Sequence, residues 1–305
     1  FCDEGIIMGL APYGNAYTKK KEKKIIDIFR EIIKIKNNNV FIDESWISFN
    51  LQRDKWVSDK FINFFGKPRK PGSKIEKIHK DIAAALQKRI EEVIIQVTKS
   101  LRKKFNIENL CFSGGLALNC SLNGKILAKK IFDKFYVHPG SGDQGQAIGA
   151  CYLGHLSKYP NFKFEKNNNY YLGTGYNQRS LSKSINKYKK SLRIIKTDNI
   201  FEKTAAYLKD GKIGAIFNGR SEFGPRALGN RSIICKPYPK GMKDYLNKKV
   251  KFRENFRPFA PIILKNFQNK YFNSTEESPH MLYAIKAKKK LINKISATVH
   301  VDGTS

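Results

Sequence analysis

From Asn109 the chain alternates strand, glycine loop and helix twice over: Asn109 to Phe112, the loop Ser113 to Leu116, a helix from about Asn119 to Lys130, then Lys134 to Val137, the loop Pro139 to Gln144 and a helix from Ala147 onward. This order implies an open α/β sheet whose sites lie at the carboxyl ends of the strands, where both glycine loops fall. Upstream, Ile25, Ile26, Ile28, Phe29, Ile32 and Ile33 recur at helical spacing after a Pro/Gly loop at residues 8–14. A long helix is marked by Ile82, Ala83, Leu86, Ile90, Val93, Ile94 and Val97 and ends near Lys104, while residues 45–75 show no regular period. The stretch Pro160 to Asn177 reads as a linker or domain edge. Beyond it we expect a helix at 201–209, a strand at 213–217, and strands at 261–264, 281–285 and 298–301, which together make a second α/β domain.

A chain of 305 residues with 41% apolar content has room for two packed domains. Its net charge of +32 comes mostly from Lys and is accompanied by many Asn and Ile, as in Asn37-Asn38-Asn39 and Asn167-Asn168-Asn169. That pattern fits a background residue bias, with solvated lysines around the surface, better than a nucleic-acid footprint clustered on one face. The five cysteines form no C-x-x-C pair, so neither a disulfide framework nor a zinc knuckle is indicated and a reducing cytoplasm fits. No apolar run reaches the roughly 18 residues that a membrane span needs. The first residue is Phe and the last residues stop in a turn-like motif, so we expect a fragment.

Ser113-Gly114-Gly115 follows a strand and opens a helix, so its N–H groups can converge on a phosphate, or the turn can be only a tight connection. Asn119 can contact a nucleotide or cap the helix. Asp143, in Gly142-Asp143-Gln144-Gly145, can cap the next helix or ligate a hard cation. Arg220, Arg226 and Arg231 lie in a Gly/Pro turn, and Arg253 and Arg257 follow close behind, although the chain otherwise prefers Lys. Guanidinium forks among turn residues suit phosphate and carboxylate oxygens. If the second segment is extended, Lys251, Arg253 and Arg257 share a face. Salt bridges to Glu222 and Glu254 are the plainer alternative. Of five histidines only His300, in His-Val-Asp-Gly, sits beside residues that orient anions.

Seven ordered motifs then become specific together. They are Met-Gly-Leu-Ala-Pro-Tyr-Gly at 8–14, Asp-Ile-Ala-Ala-Ala-Leu-Gln at 81–87, Ser-Gly-Gly-Leu-Ala-Leu-Asn at 113–119, Asp-Gln-Gly-Gln-Ala-Ile-Gly at 143–149, Glu-Phe-Gly-Pro-Arg-Ala-Leu-Gly-Asn-Arg-Ser at 222–232, Lys-Phe-Arg-Glu-Asn-Phe-Arg-Pro-Phe-Ala-Pro at 251–261 and His-Val-Asp-Gly at 300–303. Across nearly its whole length the sequence resembles the carbamoyltransferase family of the nodulation-protein and antibiotic-tailoring type. The resemblance implies an α/β protein in which residues 1–165 are the C-terminal part of an actin-like ATPase superfamily domain of the threonylcarbamoyl-transferase branch. Residues 166–305 would be a C-terminally truncated YrdC-like domain that forms carbamoyl adenylate.

By that resemblance, carbamoyl phosphate and ATP react in the second domain, and an acceptor hydroxyl on a small molecule or saccharide takes the carbamoyl group in the first. Arg226, Lys251, Arg253, Arg257 and His300 are then the catalytic set; Ser113, Gly114, Gly115, Asn119, Gly145, Arg220 and Arg231 contact nucleotide; and Asp143 binds metal. ATP, Mg²⁺ and a divalent transition metal, Fe²⁺ by family habit, are the implied cofactors. The family's metal site also draws two histidines from an upstream segment, and no such pair precedes Gly9. The sequence is therefore expected to hold half of the first active site and not to turn over alone. A tRNA-modifying threonylcarbamoyl transferase and a basic nucleic-acid-binding protein are the competing readings. The first lacks a reason for the arginine-rich second domain, and the second would leave the arginine motifs without a role.

Overall fold

The computed structural model describes residues 3–164 and 169–305. The expected domain boundary at 165/166, and Cys2 with it, lies outside the described residues. The chain opens with α1 (Glu4–Leu10) and a 3₁₀ turn at Ala11–Tyr13, followed by a small hairpin of β1 (Lys19–Lys20) and β2 (Lys23–Lys24). Next come α2 (Ile25–Ile32), then β3 (Ile33–Lys36) paired antiparallel with β4 (Asn39–Ile42), α3 (Asp59–Phe65) and the 29-residue α4 (Lys77–Phe105). The periodic isoleucines form α2 as expected, and Ile25, Ile26, Ile28, Phe29 and Ile32 are all buried. They meet Trp46, Phe65 and Ala85 in the largest apolar cluster, which welds α2 and α3 to α4.

Several elements went unread in the sequence, and two of them carry a local signal. Asn37 and Asn38, at φ 50° and 64°, make the left-handed two-residue turn that joins β3 to β4. Within the aperiodic stretch, Ser58 caps α3 by accepting from the Phe61 N–H at 3.3 Å, and Gly66 ends it at φ 102°.

The expected alternation follows. Parallel strands β5 (Asn109–Phe112) and β6 (Lys134–Val137) flank α5 (Cys120–Ala128), and α6 (Gln146–Lys158) leaves the second glycine loop. Although α6 is apolar in composition, none of its residues is buried. Then come α7 (Gln178–Tyr188), α8 (Ile200–Lys209), the antiparallel pair β7 (Gly214–Phe217) and β8 (Arg231–Ile234), α9 (Gly241–Leu246) and α10 (Gln268–Tyr271).

The expected strands at 261–264, 281–285 and 298–301 do not form ladders. Pro261 has no N–H to give. Ala284 N–H goes to the Cys120 carbonyl, Ile285 pairs with Ser305, and Thr298 and His300 close local turns onto Ile295 and Thr304. These backbone groups are satisfied singly, by chain ends and turns, and only isolated bridges such as Lys286 with Thr304 result. The four described cysteines are free thiols. Among the described residues no helix is long and apolar enough to cross a membrane.

Both halves of the chain meet on the first turn. Gly14 lies so close to α4 that a Cβ there would stand 2.0 Å from the Lys80 carbonyl oxygen. Asp81, 2% exposed, accepts from the Asn15 N–H at 2.8 Å and from Lys77. On the other side of the turn, Phe256 packs with Leu10, Ala11 and Ala83, and Pro258 touches Gly9. A Gly14→Ala chain is therefore expected to lose about 1–3 kcal/mol of stability, since backbone cannot move aside as a side chain can. A urea midpoint in far-UV circular dichroism equal to that of the parent would refute the close contact.

Candidate functional site

The two glycine loops bind each other. Gly114, at φ +97°, donates its N–H to the Ser141 carbonyl at 2.8 Å, so that donor is not aimed at a ligand. Ser113 Oγ points to the same oxygen at 3.4 Å, and Gly115 opens a 3₁₀ turn through Leu118. For Asn119 the structure gives the capping role: its Oδ1 accepts from the Leu122 N–H at 3.0 Å, and its amide pairs with buried Gln87 at 2.9 and 3.2 Å. Gly145 is a packing glycine, because a Cβ there would lie 2.1 Å from the Gly140 oxygen.

Asp143 does not cap α6, whose N-cap is Gly145 without a side-chain bond. Asp143 instead starts the 3₁₀ turn Asp143–Gly145, exposed, with its Oδ1 3.5 Å from Gln146 Nε2. Hard cations and transition metals take several ligands. Among the described residues no group of three His, Cys, Asp or Glu could hold a metal ion. The donor set around Asp143 is thus one carboxylate, which does not fit a metal site by itself.

The arginine turn reaches these loops directly. Gly224, at φ +99°, sits on the Pro139 oxygen, and the Phe223 ring covers Gly140. Arg226 donates to the Leu118 carbonyl at 3.3 Å. Its Nε, together with Ser141 Oγ and Gln144 Nε2, is buried without a protein partner among the described residues. Glu222, which the sequence offered only as a salt-bridge partner, has a different task. One carboxylate oxygen accepts from the N–H groups of Leu228 and Asn230 at 2.8 Å and of Arg231 at 3.1 Å. Burial pushes the carboxyl up, but the backbone N–H bonds outweigh it and hold its pKa below the ordinary value. Arg220 gives its donors to the carbonyls of Gly173 and Leu172, and Arg231 to those of Asn218, Asn230, Gly219 and Thr174. Arg231 also stacks on Phe217 at 3.7 Å.

The third part is residues 247–258. It is not extended: Asn247–Lys251 is a π-turn, Phe252 is left-handed at φ 49°, and the Arg257 N–H closes onto Glu254 O at 3.1 Å. The expected single face shared by Lys251, Arg253 and Arg257 is therefore absent, and Lys251 is exposed at the end of the π-turn. Arg253 and Arg257 are nevertheless neighbours. Burial, and then the like charge of Arg257, hold the Arg253 pKa below its usual value, while Glu254 acts against this. Glu254 stands 3.8 Å from Arg257 and acts on Arg253 through its charge alone. Arg253 also lies 4.6 Å over the Phe259 ring.

His300 packs beside this segment, with Nε2 3.0 Å from the Gly9 carbonyl, Nδ1 accepting from the Val301 N–H at 2.8 Å, and its ring 5.3 Å from that of Tyr13. Those partners fix the neutral ring with its proton on Nε2. Burial lowers its pKa, with Asp302 and Gly9 opposing. With both nitrogens engaged, His300 acts here as a bridge between the halves.

Comparison with known proteins fits this joined architecture. The family model described as the carbamoyltransferase N-terminus matches residues 2–152, and the one described as the carbamoyltransferase C-terminus matches 205–305. The nodulation protein NolO of Bradyrhizobium diazoefficiens is 33% identical over 99% of this chain and 53% of its own length. For the nodulation protein NolNO of Sinorhizobium fredii the figures are 32%, 99% and 43%, and for an uncharacterized protein of Synechocystis they are 33%, 93% and 46%. The chain spans about half the length of the curated relatives it matches.

Removing the Glu222 carboxylate strands three backbone donors. Glu222→Ala is expected to destabilise the chain by about 1–3 kcal/mol, with Glu222→Gln in between, as read by thermal unfolding at neutral pH. Because the folded pKa is depressed, this contribution is present above the unfolded value of about 4.3 and fades as pH falls through the folded one. The gap between parent and Glu222→Ala should therefore close in acid, and a gap that widens there would contradict the clasp.

Proposed function

Since this chain belongs to the carbamoyltransferase family, we propose that it forms part of an O-carbamoyltransferase that uses carbamoyl phosphate and ATP, by way of carbamoyl adenylate, to carbamoylate a hydroxyl of a sugar or natural-product acceptor. In this reading residues 1–165 contribute to an actin-like transfer domain and residues 166–305 to a YrdC-like adenylate-forming domain. The observation that carries it is the Arg253–Arg257 pair, two guanidiniums of one tight loop that feel each other's charge, with Glu254 ion-paired to Arg257 at 3.8 Å.

Such a pair is a ready seat for phosphate oxygens, since charge-assisted forks are strongest where water is excluded and the donors are fixed beforehand. Arg253 and Arg257 hold the phosphorylated donor. Arg226, which reaches from the arginine turn to the Leu118 carbonyl, is the arginine of the set that touches the glycine loops, and in this reading the activated carbamoyl group meets its acceptor beside it. There the acceptor oxygen bonds to the carbamoyl carbon, the bond from that carbon to the phosphate oxygen breaks, AMP departs with its electron pair, and the hydroxyl proton passes to solvent. The supports for ATP as the nucleotide are the family's two-part build and the oxyanion seat. The residues present do not complete a metal site, and no step is drawn through one.

Each charge-assisted bond is worth about 1.5–3 kcal/mol, so Arg253→Ala or Arg257→Ala is expected to lower adenylate formation by roughly one to two orders of magnitude. The check is mass detection of carbamoyl addition in the full-length protein given ATP, carbamoyl phosphate and candidate acceptors. Unaltered adenylate formation in both variants rejects the assignment.

A further inference from the structure

The loop that presents Arg253 and Arg257 is organised around a side chain that no sequence pattern marks. Asn247 is 0% exposed. Its Nδ2 donates to the Arg257 carbonyl at 2.9 Å and to the Asn255 carbonyl at 3.4 Å, while its Oδ1 accepts from Arg253 Nε at 2.7 Å. Its main-chain oxygen accepts from the Arg253 N–H at 3.0 Å. One amide thus ties down the backbone on which Arg257 rides and the guanidinium of Arg253.

The chemistry of the amide matters as much as its place. A primary amide supplies donors for two carbonyls and a neutral acceptor for an arginine from a single planar group. A carboxylate there would repel both carbonyls and neutralise the guanidinium. The other groups that touch the Arg253 guanidinium, the Pro258 carbonyl at 3.2 Å and the Phe259 ring, are uncharged as well. The cation is therefore bonded only to neutral groups among the described residues, and Glu254, whose ion pair is with Arg257, acts on it from a distance.

We propose that Asn247 is a positioning residue for a phosphate-binding seat, fixing Arg253 beside Arg257 while leaving its charge free for an incoming phosphoryl group. This inference rests on the reading of the Arg253–Arg257 pair given above and adds to it the group that builds the pair.

Two measurements test it, with inorganic phosphate as the probe. In the unaltered chain, the Nε–H resonance of Arg253, assigned by its loss in Arg253→Lys, should exchange with solvent about tenfold or more slower than that of exposed arginines. This needs no Asn247 variant. In a double-mutant cycle, Asn247→Ala should lower phosphate affinity by about tenfold in the parent and by less than about twofold in an Arg253→Ala background, because the two residues act as one unit. Losses that simply add would reduce Asn247 to a structural role and overturn the proposal. Fast Nε–H exchange, with Arg253→Ala still weakening phosphate, overturns the Asn247 assignment alone. Phosphate affinity unchanged in Arg253→Ala overturns the seat itself.

Discussion

The buried carboxylate of Asp81 is the contact on which the rest of the arrangement depends. It sits on the long helix α4 at 2% exposure, and its burial is offset by Lys77 and by the Asn15 N–H. Together with the approach of Gly14 to the Lys80 carbonyl, it clamps the turn of residues 11–15 to α4. That turn and the end of α1 carry what the second half of the chain grips: the Gly9 carbonyl, bound by His300, the Tyr13 hydroxyl, reached by Lys243 at 3.4 Å, and the apolar shelf under Phe256. The position of the arginine segment relative to the glycine loops is inherited from this one joint.

A chain with net charge +32 has cations to spare, and the structure separates those it uses from those it does not. Many lysines lie on the surface. Three arginines of the second half are held instead by groups without charge: backbone carbonyls for Arg220 and Arg231, an amide for Arg253. Glu222 is used beside them to organise backbone, through three N–H groups. This division leaves guanidinium charge fixed in direction and available.

What was legible in the sequence were features with a period or a turn signature. The isoleucines of α2, the apolar stripe of α4 and the strand–loop–helix alternation from Asn109 all stand where their spacing puts them. The hairpin at Asn37-Asn38 carried a readable signal that composition masked. The expected strands after residue 260 failed because apolar residues alone do not provide a neighbouring edge, and their N–H groups found chain ends and turns. At the site, the identity of the arginines was legible but their conformation was not. The π-turn at Asn247–Lys251 and the left-handed Phe252 go with bonds that converge on a buried amide from residues six to ten positions away, a pattern with no helical or strand period. The backbone-binding role of Glu222 and the part of Asn247 were hidden for the same reason.

The apolar clusters are unevenly distributed: the largest lies among α2, α3 and α4, whereas α6, α7 and α8 bury no residue. Opening free energies follow burial, so the molecule should behave as a firm anvil bearing softer parts. Such a gradient puts the easiest openings in α6, α7 and α8 and the most costly in the packed lobe of α2, α3 and α4. Breathing and anchoring are then divided between different stretches of one polypeptide.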